Sequence, residues 1–181
     1  VVRDATTVYW AACASSNGTS CSVWSIPVAG GTATSLYPLS GGGNPSLALL
    51  LPNLYVTSPG LRQVVSIAVS TGGSTTTIDS TSLPYVSVDA RAGRVAWVAA
   101  QSSSGAFNGL VKGMSVGGSS RTIATGQAPF AVAVDATNAY WVTESGTGQA
   151  IYKAGISSGS ATLVLDNIST FHIAVDANSV Y

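Results

Sequence analysis

Charge is scarce in this sequence. Only 8% of its 181 residues are Asp, Glu, Lys or Arg, seven acidic against seven basic, and Lys and Arg nowhere cluster. Nucleic acid and anionic membrane surfaces call for a concentrated basic footprint, so neither is expected as a partner. Apolar runs are short too: none approaches the roughly eighteen residues a membrane-crossing helix needs, and membrane insertion is not expected. No charged segment followed by an apolar one marks a leader, and the chain opens on Val1, so it reads as a segment cut from a longer product. Histidine and glutamate occur once each, as His172 and Glu144, and cysteine twice, as Cys13 and Cys21. Two cysteines and one distant histidine do not make a zinc site. Gly41-Gly42-Gly43 has no helical pattern after it and so is no phosphate cradle, and no Gly-x-Ser-x-Gly nucleophile turn occurs. The expectation is a chain with no catalytic residue, no metal and no cofactor.

What the sequence has instead is Ser, Thr and Gly, which fill 65 of the 181 positions. Polar faces built from hydroxyls rather than from charged heads suit strands and turns, not long helices. Abundant Val, Ile, Leu, Tyr and Trp with so little charge is also the opposite of a disordered composition.

The chain repeats itself. Arg3–Trp10 (RDATTVYW), Val134–Val142 (VDATNAYWV) and Val175–Tyr181 (VDANSVY) align, and the column Tyr9, Tyr55, Ala96, Tyr140, Tyr181 has spacings of 46, 41, 44 and 41 residues, a mean of 43. Four-stranded propeller blades and some helical repeats share that period, and the residue pattern separates them. Each repeat holds four short segments of alternating apolar and small residues, joined by Gly-rich turns such as Gly30-Gly31, Gly72-Gly73 and Gly117-Gly118, and no stripe of helical period appears. The expected fold is all-β, with four-stranded antiparallel sheets over residues 1–44, 45–83, 84–128 and 129–172 and the start of a fifth over 173–181. Ser46–Leu50, Tyr85–Asp89, Ala131–Asp135 and His172–Asp176 read as innermost strands, with Val132 and Val134 facing one neighbour and Ala131 and Ala133 the other. The Tyr-Trp pairs Tyr9-Trp10 and Tyr140-Trp141, with the partial copies Tyr55-Val56 and Ala96-Trp97, read as second strands whose aromatic rings fill opposite faces between stacked sheets.

The unit PFAVAVDATNAYWVTESGTGQAIYKAGISSGSATLVL resembles the YWTD-type and NHL-like β-propeller repeats of receptor ectodomains and many bacterial exported proteins. The resemblance runs through the whole chain, most strongly over Pro129–Tyr181; Leu50 departs from the Asp column, and Trp141 is followed by Val142 and Thr143 rather than by the last two positions of the YWTD motif. It implies a non-catalytic binding or scaffold propeller, exported or surface-attached, for a protein, peptide or carbohydrate ligand. It also implies a ring of about six or seven blades, of which four repeats would be an arc; a closed four-bladed ring is the alternative. The competing functions are a channel-centred lyase or hydrolase and the extracytoplasmic sensor half of a receptor.

Individual residues carry further expectations. Cys13 and Cys21 bracket a short hairpin loop and are expected to be joined, which implies a secreted, periplasmic or surface-anchored location. Asp4, Asp89, Asp135 and Asp176 each precede a small turn and read as acceptors for their own backbone. His172 and Tyr85, at the starts of inner strands, and Glu144, in a hairpin loop, are the residues expected to share a ligand face. Asn17-Gly18-Thr19 and Asn167-Ile168-Ser169 match the glycosylation acceptor pattern, which arises readily by chance in a Ser/Thr-rich chain.

Overall fold

The structure is a computed structural model, which describes residues 1–13, 20–71, 73–103, 106–145 and 148–181. Asn17 and its acceptor pattern lie outside the described residues. The described residues form sixteen strands in four antiparallel sheets, each made of four strands consecutive in sequence. The chain divides into two compact units, Val1–Pro84 and Tyr85–Tyr181.

The first unit holds two sheets. In one, β1 (Val2–Arg3), β2 (Thr7–Cys13), β3 (Ser20–Pro27) and β4 (Thr34–Ser40) pair in order. In the other, β5 (Leu47–Leu50), β6 (Asn53–Ser58), β7 (Gln63–Ala68) and β8 (Ser74–Ser80) do the same. Alternation puts Tyr9, Cys21, Val23 and Leu39 on one face of the first sheet, where they pack against Leu54, Val56, Val65 and Ile67 of the second.

The second unit repeats the arrangement with β9 (Tyr85–Arg91), β10 (Arg94–Ser103), β11 (Ala106–Ser115) and β12 (Arg121–Thr125), followed by β13 (Pro129–Val134), β14 (Asn138–Ser145), β15 (Gly148–Gly155) and β16 (Thr162–Ile168). Ala96, Val98, Val111 and Ile123 meet Val132, Val134, Trp141 and Ile156 in one cluster. Ala131 lies in another, with Val142, Ile151, Ile173 and Val180. Val132 and Val134 therefore do face away from Ala131, as the period-two reading requires.

The outermost strand of every sheet carries a register shift that leaves one apolar residue out of the ladder: Leu36, Ile78, Ile123 and Val164. A bulge at each outer edge bends the strand and blunts it against pairing with other chains.

Two expectations are corrected. His172–Asp176 is not a strand: the segment makes only an isolated bridge between Val175 and Val180 and a reciprocal pair of backbone hydrogen bonds between Ala174 and Tyr181. Asp89 is not a turn residue. Its hairpin is longer than those of Asp4, Asp135 and Asp176, β9 and β10 running on until Arg91 pairs with Arg94, and the turn falls on Ala92 (φ 49°) and Gly93 (φ 76°). Two successive positive φ values make the hairpin turn whose twist matches the strands. Asp89 is thereby drawn into the strand, and its Oδ2 accepts the backbone N–H of Val134 in the next sheet at 2.8 Å.

Candidate functional site

The recurring Asp-Tyr spacing folds into one device three times. Asp135 Oδ1 accepts the backbone N–H groups of Thr137 (2.7 Å) and Asn138 (2.6 Å), while Oδ2 accepts the Tyr140 hydroxyl at 2.8 Å. In the first sheet Asp4 takes Thr6 (2.7 Å), Thr7 (2.8 Å) and the Tyr9 hydroxyl (3.1 Å). Beyond the fourth sheet Asp176 takes Asn178 and Ser179 (2.8 Å each) and the Tyr181 hydroxyl (2.8 Å). Each carboxylate closes its hairpin and holds the ring of the residue five positions on.

These bonds set the electrostatics. Burial pushes the Asp135 carboxyl up, but hydrogen bonds from Asn138, Thr137 and Tyr140 outweigh it and bring its pKa down to about 2. The Thr6 N–H holds Asp4 below the usual carboxylate range, and the Asn178 N–H and Tyr181 hydroxyl do the same for Asp176. Burial raises the Tyr140 phenol, and the neighbouring Asp135 charge adds to the effect. Asp89 differs in sign: burial raises its pKa against the opposing hydrogen bond from Val134.

In the second unit the hairpins of successive repeats meet around a cleft of about 370 Å³ lined by Arg91, Ala92, Asp135, Thr137 and Asp176 among others. Two arginines tie the hairpins together. Arg91 donates to the carbonyl of Val175, and Arg94 donates through Nε to the carbonyl of Ala136 at 3.0 Å and through a terminal nitrogen to Ser115 Oγ. Neither arginine was singled out from the sequence; the two extra residues of Arg91-Ala92-Gly93-Arg94, relative to the other Asp hairpins, are the signal that marks them. The carboxylates here are already committed to their own turns. The cleft is thus a junction between hairpins rather than a set of free acids and bases.

The residues expected to share a ligand face lie elsewhere. Tyr85 begins β9 and is 1% exposed, whereas His172 and Glu144 are exposed. His172 and Glu144 are connected through one network: Glu144 pairs with Gln149 across the β14–β15 hairpin, Gln149 Oε1 accepts the Thr170 N–H at 2.6 Å, and Thr170 Oγ1 donates to the His172 carbonyl at 2.8 Å. Cys13 and Cys21 are cross-strand partners in β2 and β3 and are joined as a disulfide. Asn167 is exposed at the end of β16 with φ 55°. Among the described residues no three His, Cys, Asp or Glu side chains gather as a metal site, and no helix is long and apolar enough to cross a membrane.

Comparison with known proteins places this architecture. The chain is similar to a chain of the nidogen/laminin complex (TM-score 0.70, 17% identity, covering 97% of this chain and 66% of that one). It is similar to the β-propeller domain of the trilobed protease from Pyrococcus furiosus (TM-score 0.65, 6% identity, 97% and 59%). It is also similar to the extracellular domain of a one-component system from B. thetaiotaomicron (TM-score 0.60, 12% identity, 98% and 24%). The chain spans about two thirds or less of each of these structures. No protein-family model matches it, and no curated protein does. At such identities the likeness shows the fold: the four sheets are blades of a β-propeller.

Proposed function

We propose that this chain is a non-catalytic binding or scaffold propeller of an exported or cell-surface protein, of the YWTD or NHL-like kind, taking a protein, peptide or carbohydrate ligand. The observation that carries the reading is the commitment of the recurrent carboxylates Asp4, Asp135 and Asp176 to their own hairpins, which uses structurally the acids an enzyme of this size would draw on. An oxidising location is supported by the Cys13–Cys21 disulfide and by the extracellular domain among the similar structures. The same neighbour favours the second reading, an extracytoplasmic sensor domain of a receptor.

The ligand face we propose is that of His172, Tyr85 and Glu144, of which His172 and Glu144 are exposed and Tyr85, at the start of β9, is buried. The test is a screen of the immobilised chain against arrays of extracellular proteins, peptides and glycans, with product analysis by mass spectrometry. Binding weakened at least tenfold in His172→Ala/Glu144→Ala, with the unfolding midpoint unchanged, supports the face. Binding indifferent to both substitutions overturns it, and turnover of any arrayed compound overturns the non-catalytic reading.

A further inference from the structure

One column of the repeat departs from what the scaffold needs. Five residues before the Leu50, Asp89, Asp135 and Asp176 positions stand Pro45, Pro84, Phe130 and Phe171. The fold accepts proline there, so it does not itself require the two phenylalanines. Phe130 is the residue left out of the ladder where β13 shifts register against β14, Pro129 pairing with Thr143 and Ala131 with Val142. A bulge of this kind re-aims the side chain it frees. Phe130 comes to lie half-buried against the Ala131–Val142–Ile151 cluster. The Phe171 ring meets it with centroids 6.2 Å apart and planes at 50°, and Phe171 is 73% exposed.

Glu144 stands on the same side. Side chains alternate along β14, so Glu144 follows Val142 onto the face where Phe130 packs, and its backbone N–H bonds the Ala128 carbonyl at 3.5 Å, two residues before Phe130. Across the hairpin Glu144 pairs with Gln149, whose Oε1 accepts the N–H of Thr170, the neighbour of Phe171. Two rings and an acidic residue are thus brought to one corner of the second unit. Charge there has one sign: residues 128–131, 142–144, 149–151 and 168–173 contain one carboxylate, Glu144, one imidazole, His172, and no Lys or Arg.

We infer that the Phe130–Phe171–Glu144 corner receives a Lys or Arg side chain from a basic peptide segment of the partner. The inference rests on the His172–Glu144 ligand face proposed above and gives that face a ligand class. A cation within about 6 Å of an aromatic face is attracted by the ring quadrupole, while its alkyl stem covers exposed ring and Glu144 supplies the countercharge. An exposed ion pair alone is weak, so the rings carry much of the recognition. A sugar would instead need donors and acceptors spread around the rings. Here Gln149 Oε1, the Thr170 N–H and Thr170 Oγ1 already bond within the protein.

The experiment titrates the whole chain into fluorescently labelled probes and reads anisotropy. The probes are a short Gly/Ser peptide carrying two lysines, the same peptide with norleucine in their place, and neutral oligosaccharides of glucose and of N-acetylglucosamine. The lysine peptide is expected to bind about tenfold more tightly than the norleucine peptide, and to weaken as salt is added. Phe171→Leu keeps an apolar side chain and removes the ring, so it should weaken the lysine peptide about fivefold with the unfolding midpoint unchanged. Glu144→Gln should weaken it about threefold and flatten the salt dependence. Equal affinity for the two peptides, indifference of the lysine peptide to Phe171→Leu, or oligosaccharide binding that Phe171→Leu abolishes overturns the inference. The lysine–norleucine comparison needs only the wild-type chain, so a variant that misfolds leaves the test standing. Should the lysine peptide fail while ligands from the arrays still require His172 and Glu144, the basic-peptide inference falls and the proposed face stands; array ligands indifferent to both residues overturn the face itself.

Discussion

The Tyr140 hydroxyl donates to Asp135 Oδ2 at 2.8 Å while the other oxygen of the same carboxylate takes two backbone N–H groups of its hairpin. One side chain thus fixes both the turn and the ring five residues on. Because these bonds hold the folded-state pKa of Asp135 at about 2, below its unfolded value, the carboxylate stabilises the fold. That contribution is fully present above about pH 5 and is lost as the pH falls towards 2, and after discounting for solvent it amounts to about 1–2 kcal/mol. Urea midpoints between pH 7 and 2.5 are expected to fall more steeply for the wild type than for Asp135→Ala. Parallel curves would show that the bonds have no net value.

Tyr140→Phe separates the two jobs of that carboxylate. It removes one bond to a charged acceptor and leaves the turn intact, so a loss of about 1.5–3 kcal/mol is expected, the usual worth of a hydrogen bond to a charged group. Double-mutant analysis with Asp135→Asn should give a coupling energy clearly above zero. Additive effects would place the ring's contribution in packing alone.

Asp89 should respond in the opposite sense. Burial raises its folded-state pKa, so its charge opposes folding at neutral pH, and this penalty is relieved as the pH falls through that raised pKa. Asp89→Asn keeps an oxygen to accept the Val134 N–H and removes the charge, so stability at pH 7 should hold or rise. Asp89→Ala leaves that N–H without an acceptor and is expected to cost about 1–3 kcal/mol. Thermal unfolding of the two variants side by side checks the ordering, and a less stable Asn variant would contradict the assignment.

How much of this was legible in the sequence follows from what repetition can and cannot encode. Periodic Tyr and Trp positions marked the strands and the faces they fill, because burial on both sides of a sheet imposes period two whatever the neighbour. The three Asp turns were legible because a carboxylate at a turn answers its own backbone, a local matter. Asp89 carried the same letters, yet two extra residues in its hairpin moved it into a strand and gave it a partner 45 residues away. The stapling of hairpins by Arg91 and Arg94 was equally hidden, since it depends on which turns are adjacent in space. The exposure of His172 and the burial of Tyr85 likewise depend on loop packing that no column of the repeat records.

The disulfide gives a further prediction. Cys13 and Cys21 are eight residues apart, and the chain-entropy relation assigns closure of so short a loop about 2.5 kcal/mol, exerted on the unfolded chain. Intact-mass measurement after alkylation should find no free thiol until reductant is added, and reduction should lower the denaturation midpoint by a corresponding amount. Two alkylated thiols in the native, unreduced protein would remove the main structural support for an oxidising location.

The last prediction compares two tryptophans at one repeat position. Trp141 is wholly buried, stacks on Tyr152 with ring centroids 6.0 Å apart, and donates its indole N–H to Gln127 Oε1 at 2.6 Å. Truncation to Ala removes a large ring from a close-packed interface and leaves the half-buried Gln127 Oε1 without that donor, so a loss of about 3–5 kcal/mol is expected. Trp10 holds the equivalent place in the first sheet but is only half-buried, beside an open cleft. Little cavity forms when it is cut back, and Trp10→Ala should cost less than about half as much. Chemical denaturation of both variants, with circular dichroism to confirm retained strand content, measures the difference. Equal losses would mean that the first-sheet ring is as enclosed as its counterpart, and the asymmetry between the two faces would vanish with it.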